Sequence, residues 1–236
     1  MPPRRAAAFA VLLFALPASA AQETFLFDVG FRGLTAAQIA MTGSLRGASY
    51  AVSLRMESTG LVGIFREFAF AADSQGRMGR AQPAPRQASL RNETRRARGS
   101  ITMRYPGGVP DVEIVPPREP QPWDLDAAQQ TGRADPLSVI WAAFRAQPAD
   151  RICDVTFRAF DGRRAGDLIL SPPEARADGT MTCRGEWRRI AGYAPEDMAE
   201  RTRFPFTLTW APDGDRMRLI EMRARSRYGD AVLRRQ

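Results

Sequence analysis

The sequence predicts a mainly β protein, a curved antiparallel sheet or open barrel packed around one amphipathic helix. Three observations predict it. Apolar and polar residues alternate in run after run, which is the period of a half-buried strand. Short glycine-containing and polar turns separate the runs, as expected for neighbours that pair antiparallel. Helical spacing occurs in one segment, and a lone amphipathic helix among strands needs a sheet to cover.

The first strands are expected at 24–31 (TFLFDVGF), 35–45 and 49–59. In the third, Tyr50, Val52, Leu54 and Met56 share one face, while Ser53, Arg55 and Glu57 share the other. Further strands are expected at 62–73, at 100–105 with Ile101, Met103 and Tyr105 in register, and at 111–115. Residues 116–134 break the pattern. Pro116, Pro117, Pro120 and Pro122 exclude a central strand or a stable helix, so this is a long surface connection and the place for an internal hinge. A helix then starts cleanly over 135–146. Asp135 suits the N-cap and Pro136 the first helical position. Leu137, Ile140, Trp141 and Phe144 form its apolar stripe, and Pro148 stops it.

Strands return at 152–160 and 166–171, joined around Asp161-Gly162, a strong hairpin-turn signal. Others follow at 179–187, 204–211 and 216–228. Phe204, Phe206, Leu208 and Trp210 alternate with small or polar residues, and Pro205 implies an edge position or a strand start. No internal repeat is visible. One domain over 21–236 is expected, with the helix plugging the sheet.

The chain opens MPPRRAAAFAVLLFALPASAAQ. Arg4 and Arg5, the apolar run Ala6–Leu16 and the small residues Ala18-Ser19-Ala20 come in the order of a secretory signal peptide. The expectation is removal of residues 1–20, a mature start near Ala21 and a periplasmic protein. No cysteine follows the apolar run, so no lipid anchor is expected, and no later stretch is apolar enough to cross a membrane as a helix. The formal net charge of +8 falls to about +6 without Arg4 and Arg5. Every basic side chain is arginine, and histidine is absent.

An even pair of cysteines in an exported chain reads as a disulfide. Cys153 shares a strand face with Val155 and Phe157, and Cys183 shares one with Met181 and Trp187. A redox-active pair would sit closer together, as in C-x-x-C, and two independent buried thiols are the other reading. The disulfide is the expectation, at roughly 3 kcal/mol on the chain-entropy argument.

The chain resembles the DUF3108 family of exported proteobacterial proteins. The resemblance rests on MESTGLVGIFREFAF in the first half. In the second half it rests on DPLS (Asp135–Ser138), Cys153, Phe160–Arg164 (FDGRR), Cys183 and Ile190–Tyr193 (IAGY). The dense arginines of RNETRRARGS depart from the pattern. The resemblance implies an exported compartment and a curved β-sheet comparable to periplasmic lipoprotein carriers and lipopolysaccharide-transport components. It implies no reaction and no cofactor.

Without histidine, a Ser-His-Asp or Cys-His centre cannot be built, and the commonest transition-metal ligand is missing. There is no G-x-S-x-G elbow, Gly-rich phosphate loop or C-x-x-C. Asp161 is read as the turn residue before Gly162, and no other acid forms an evident catalytic pair. A non-catalytic protein is expected, with no cofactor and no metal.

Arg86, Arg91, Arg95, Arg96 and Arg98 are the sharpest charged feature. They read either as a solvated loop or as a site for an anionic lipid headgroup or envelope polymer. Nucleic acid is not expected, because no aromatics interleave. Phe25, Phe27, Tyr50, Phe68, Phe70, Trp141, Phe204 and Trp210 read either as packed core or as the lining of a groove for an apolar ligand. Two function classes follow. One is an envelope protein that binds an apolar or amphiphilic ligand such as a lipid. The other is a structural or protein-interaction module with no cavity.

Overall fold

The computed structural model describes residues 21–31, 34–59, 68–94, 98–226 and 229–236. The expected leader at 1–20 and the arginines Arg95 and Arg96 lie outside the described residues.

The first half is a meander of long strands: β1 (Ala21–Phe31), β2 (Leu34–Arg46), β3 (Ser49–Ser58), β4 (Phe68–Met78), β5 (Pro83–Thr94), β6 (Arg98–Arg104) and β7 (Asp111–Val115). Helix α1 (Pro136–Phe144) follows the proline-rich connection. The second half holds β8 (Val155–Phe160), β9 (Ala165–Leu170), β10 (Glu174–Ala175), β11 (Met181–Ala191), the short helix α2 (Pro195–Glu200), β12 (Arg203–Asp213), β13 (Arg216–Ser226) and β14 (Gly229–Arg235). Among the described residues these strands form one 14-stranded antiparallel sheet, in the order β7-β6-β5-β4-β3-β2-β1-β14-β13-β12-β11-β9-β8, with β10 beside β11. The pairing of β1 with β14, Phe27 opposite Arg235, joins the two halves.

No strand pairing closes β7 onto β8 among the described residues, so the sheet is open. It is nonetheless strongly curled. Ala88, Met103 and Tyr105 from the β5–β7 side cluster with Phe160 of β8. A Cβ at Gly162, where φ is +100°, would lie 3.1 Å from both Ile101 and Val112. The connection 116–134 spans this gap. Leu125 N–H donates to Arg163 O at 2.9 Å, and Ala134 makes a parallel bridge to Ala159.

α1 sits inside the curl. It packs on β3, β4, β5 and β8, and Leu137, Ser138, Val139, Trp141, Ala142, Ala143 and Phe144 are all buried. The apolar stripe was legible, yet the helix is enclosed on nearly every side. The cap is as expected: Asp135 accepts from Ser138 N–H at 3.0 Å, with Pro136 at the first helical position.

Several elements differ from the sequence expectation. β5 occupies the stretch whose arginines read as a solvated loop, so Arg86 and Arg91 stand on a strand. Its prolines concealed it. Pro83 is its first residue and Pro85 flanks a register shift, so neither interrupts a regular ladder. The strand expected at 62–73 is described from Phe68 and runs on to Met78. β14 and the largely exposed α2 were not anticipated. Pro205 stands third in β12, which lies between β11 and β13, so the strand-start reading holds and the edge reading does not. Cys153 precedes β8 rather than lying in it: Cys153 and Asp154 have φ of 66° and 51°.

Candidate functional site

The two cysteines are joined. Cys153 and Cys183 form a disulfide across a separation of 30 residues, with their Cα atoms 6.3 Å apart. Both are buried. The alternation around Cys153 survives its left-handed backbone: Phe157 is buried and Asp154, Thr156 and Arg158 are exposed. The bond ties the entry of β8 to β11, next to the core.

Around α1 the buried residues divide into an anchor and a groove. The anchor is polar. Ser74 of β4 donates to the Asp135 carboxylate at 2.8 Å, and the Ser138 hydroxyl donates to the same oxygen. Tyr50 of β3 lies 2.6 Å from Ser138 Oγ. With both serine protons turned to the carboxylate, Tyr50 is the donor in that contact. Burial pushes the Asp135 carboxyl up, against the opposing pull of its hydrogen bonds from Ser138 and Ser74. Burial, followed by the Asp135 charge, pushes Tyr50 up to about 12. Asp135 and Ser138 are 2% and 0% exposed, so the network is buried and holds the helix to the sheet.

The groove is apolar. It has a volume of about 370 Å³ and runs between α1 and the sheet. Ile140 and Phe144 of α1 form one wall. Phe27, Met41 and Leu54 of β1–β3 face Leu168, Trp187, Phe206, Met222 and Leu233 of β9 and β11–β14. The lining passes from buried Phe27 and Met41 to exposed Pro205 and Arg225, so it opens to solvent. Two charged side chains line it, Arg201 and Arg225.

Of the aromatic residues singled out in the sequence, Phe27 and Phe204 line this groove. Phe25, Tyr50, Trp141 and Trp210 are packed core, with Phe25 edge-on to Trp141 at 5.6 Å. Phe68 and Phe70 are half-buried on β4, Phe70 against the core. The aliphatic and Met lining was missed, as were Phe144, Trp187 and Phe206. Alternation says which side chains face inward, and it does not say which of them leave space between them.

Those of the singled-out arginines that lie among the described residues stand elsewhere. Arg86, Arg91 and Arg98 are exposed on β5 and β6 and do not line the groove. Arg91 is paired with Asp73 at 3.0 Å. A pair this exposed contributes about 0–1 kcal/mol. Asp161 is a turn residue as expected, its carboxylate accepting from the backbone N–H of Arg163 and Arg164.

A second depression of about 630 Å³ lies by the C-terminus of α1. It is larger but mixed in character. Exposed Arg80, Arg151, Asp150 and Asp154 surround it with both signs of charge. Among the described residues, no three carboxylates or cysteines converge as metal ligands, and no helix is long and apolar enough to cross a membrane. Comparison of the chain with protein-family models, curated proteins and solved structures returned no match.

Proposed function

We propose that this is a non-catalytic protein of the periplasm that holds an apolar or amphiphilic ligand, such as a lipid, between α1 and the curled sheet. One observation carries the reading: a solvent-reachable groove of about 370 Å³ whose lining is apolar apart from two rim arginines. A core packs to near-crystalline density unless something requires otherwise. Ligand pockets are typically concave, mostly apolar and about 300–1,000 Å³. The leader-like start and the Cys153–Cys183 disulfide support an oxidising, exported setting. The resemblance to exported curved-sheet proteins points the same way. The most polar buried cluster, at Asp135, is enclosed and serves as a helix cap, which supports a binding role rather than a reaction.

Native mass spectrometry of protein purified from its own envelope tests the reading. A co-purifying amphiphile that is lost on denaturation is the expected result. Ligand-free protein that also fails to take up an alkyl probe in titration overturns it, and leaves the cavity-free interaction module.

A further inference from the structure

The ends of the groove differ in chemistry. Its depth is hydrocarbon, and its rim carries Arg201 and Arg225 with no acidic residue in the lining. Arg201 sits just after α2, its guanidinium 4.8 Å from the ring centre of Phe204, itself a lining residue. Its Nε donates to Arg203 O at 2.7 Å. Arg225 is 89% exposed, and its partner Asp230 stands at 3.8 Å, the long limit of an ion pair.

Arg201 is also the outer end of a stack. The Arg189 guanidinium lies 4.9 Å from the ring centre of Phe204 and 4.9 Å from that of Tyr193, and Arg164 lies 5.1 Å from Tyr193. Three guanidiniums thus interleave with two rings. Among the described residues, Arg189 stands within ion-pair distance of a carboxylate, that of Asp197 at 3.8 Å. The rings hold the cations in place through their faces without neutralising them. The positive charge at the mouth is therefore positioned, and the groove lining supplies no carboxylate to offset it.

Resting on the ligand-binding reading above, we propose that the ligand is a single-chain amphiphile with an anionic headgroup. Its alkyl chain fills the groove, and its carboxylate or phosphate oxygens meet Arg201 and Arg225 at the rim. The groove's modest volume suits one chain. Guanidinium is the side chain best matched to planar or tetrahedral oxyanions, which it binds through paired N–H donors.

Calorimetric titration of the whole mature chain tests this with four probes: dodecanoate, dodecyl phosphate, dodecanol and inorganic phosphate. The two anionic amphiphiles should bind more tightly than dodecanol by about tenfold or more, the scale of a charge-assisted hydrogen bond. Whichever of them binds more tightly identifies the headgroup class. Arg201→Gln should remove most of that preference by weakening the two anionic probes more than dodecanol, while Arg201→Lys should keep part of it. Arg225→Gln, at an exposed site whose loss leaves the core untouched, should reduce the preference in a folded protein. Dodecanol binding as tightly as dodecanoate overturns the headgroup inference and leaves the apolar groove standing. Inorganic phosphate binding as tightly as dodecyl phosphate overturns it in favour of a free-anion site. Failure of every alkyl probe overturns the ligand-binding reading itself.

Discussion

The ring of Trp141 occupies the space that a side chain at Gly43 would need: a Cβ built on Gly43 runs into the indole's six-membered ring. Gly43 is buried in β2, and Trp141, on α1, is 2% exposed. The missing side chain lets the helix come down onto the sheet. Gly43→Ala should therefore cost about 1–3 kcal/mol as overpacking. Trp141→Ala should cost about 3–5 kcal/mol as a cavity. The double variant should lose less than the two costs combined, because the methyl added on β2 then has room. Denaturant midpoints of the four proteins measure this. Strict additivity would mean that the two residues do not touch.

Asp135 should give stability an unusual pH dependence. Burial holds its folded pKa above the unfolded value, so the native state binds the proton more tightly than the unfolded chain does. Its contribution is fully present below the unfolded carboxyl pKa, near 3.8, and is lost as pH rises through the folded pKa. Most carboxylates act in the opposite direction, so the effect must be isolated by difference. The stability of the wild type minus that of Asp135→Asn should be largest in acid and should shrink as pH rises above that window. Urea unfolding of both proteins across the acidic to neutral range checks it. A difference that is flat with pH would show that Asp135 keeps an ordinary pKa.

The sequence revealed faces more reliably than depth. Period-two alternation located most strands, because an inward residue at i requires another at i+2. It placed Tyr50 and Val52 on the buried side of β3. It failed where the ladder is irregular or brief. β5 hides behind Pro83 and Pro85, and β14 is a short apolar stretch between charged ends. Asp135 was legible as a cap from its place before Pro136. Its burial was not, because that depends on Ser74 and Tyr50, which are 61 and 85 positions away in the chain. The groove was legible least of all. Ile39, Met41, Leu54 and Met222 are core-type side chains, and an unfilled volume between such residues leaves no mark on the pattern.

The disulfide should matter chiefly through the unfolded chain. Closing a loop of this length removes denatured-state entropy worth roughly 3 kcal/mol. The Cys153→Ser/Cys183→Ser variant should melt about 6–12 °C lower at this chain size. Non-reducing peptide mapping of the wild type should show one linked pair. The variant should still bind an alkyl probe if it folds, since neither cysteine lines the apolar groove. Lost binding in a folded variant would tie the disulfide to the shape of the groove.

Filling the groove should separate stability from binding. Ala224 lines it from β13, opposite Phe206 in register. Ala224→Phe would place a ring into the open volume from a strand that stays paired on both sides. If the space is empty hydrocarbon surface, the added contacts should hold or raise stability, by about 0.5–2 kcal/mol as cavity filling commonly does. Alkyl binding should fall sharply in the same protein, because ring and chain compete for one volume. If instead stability drops by about 1–3 kcal/mol, the site is already packed and the ring is forced into it. If binding survives in a stable variant, the ligand sits elsewhere, and the mixed-charge depression around Arg80 and Arg151 is the next place to look. A protein selected for stability alone would have closed such a groove with larger side chains. A gain in stability coupled to a loss of binding would therefore show that the space is kept open for a ligand.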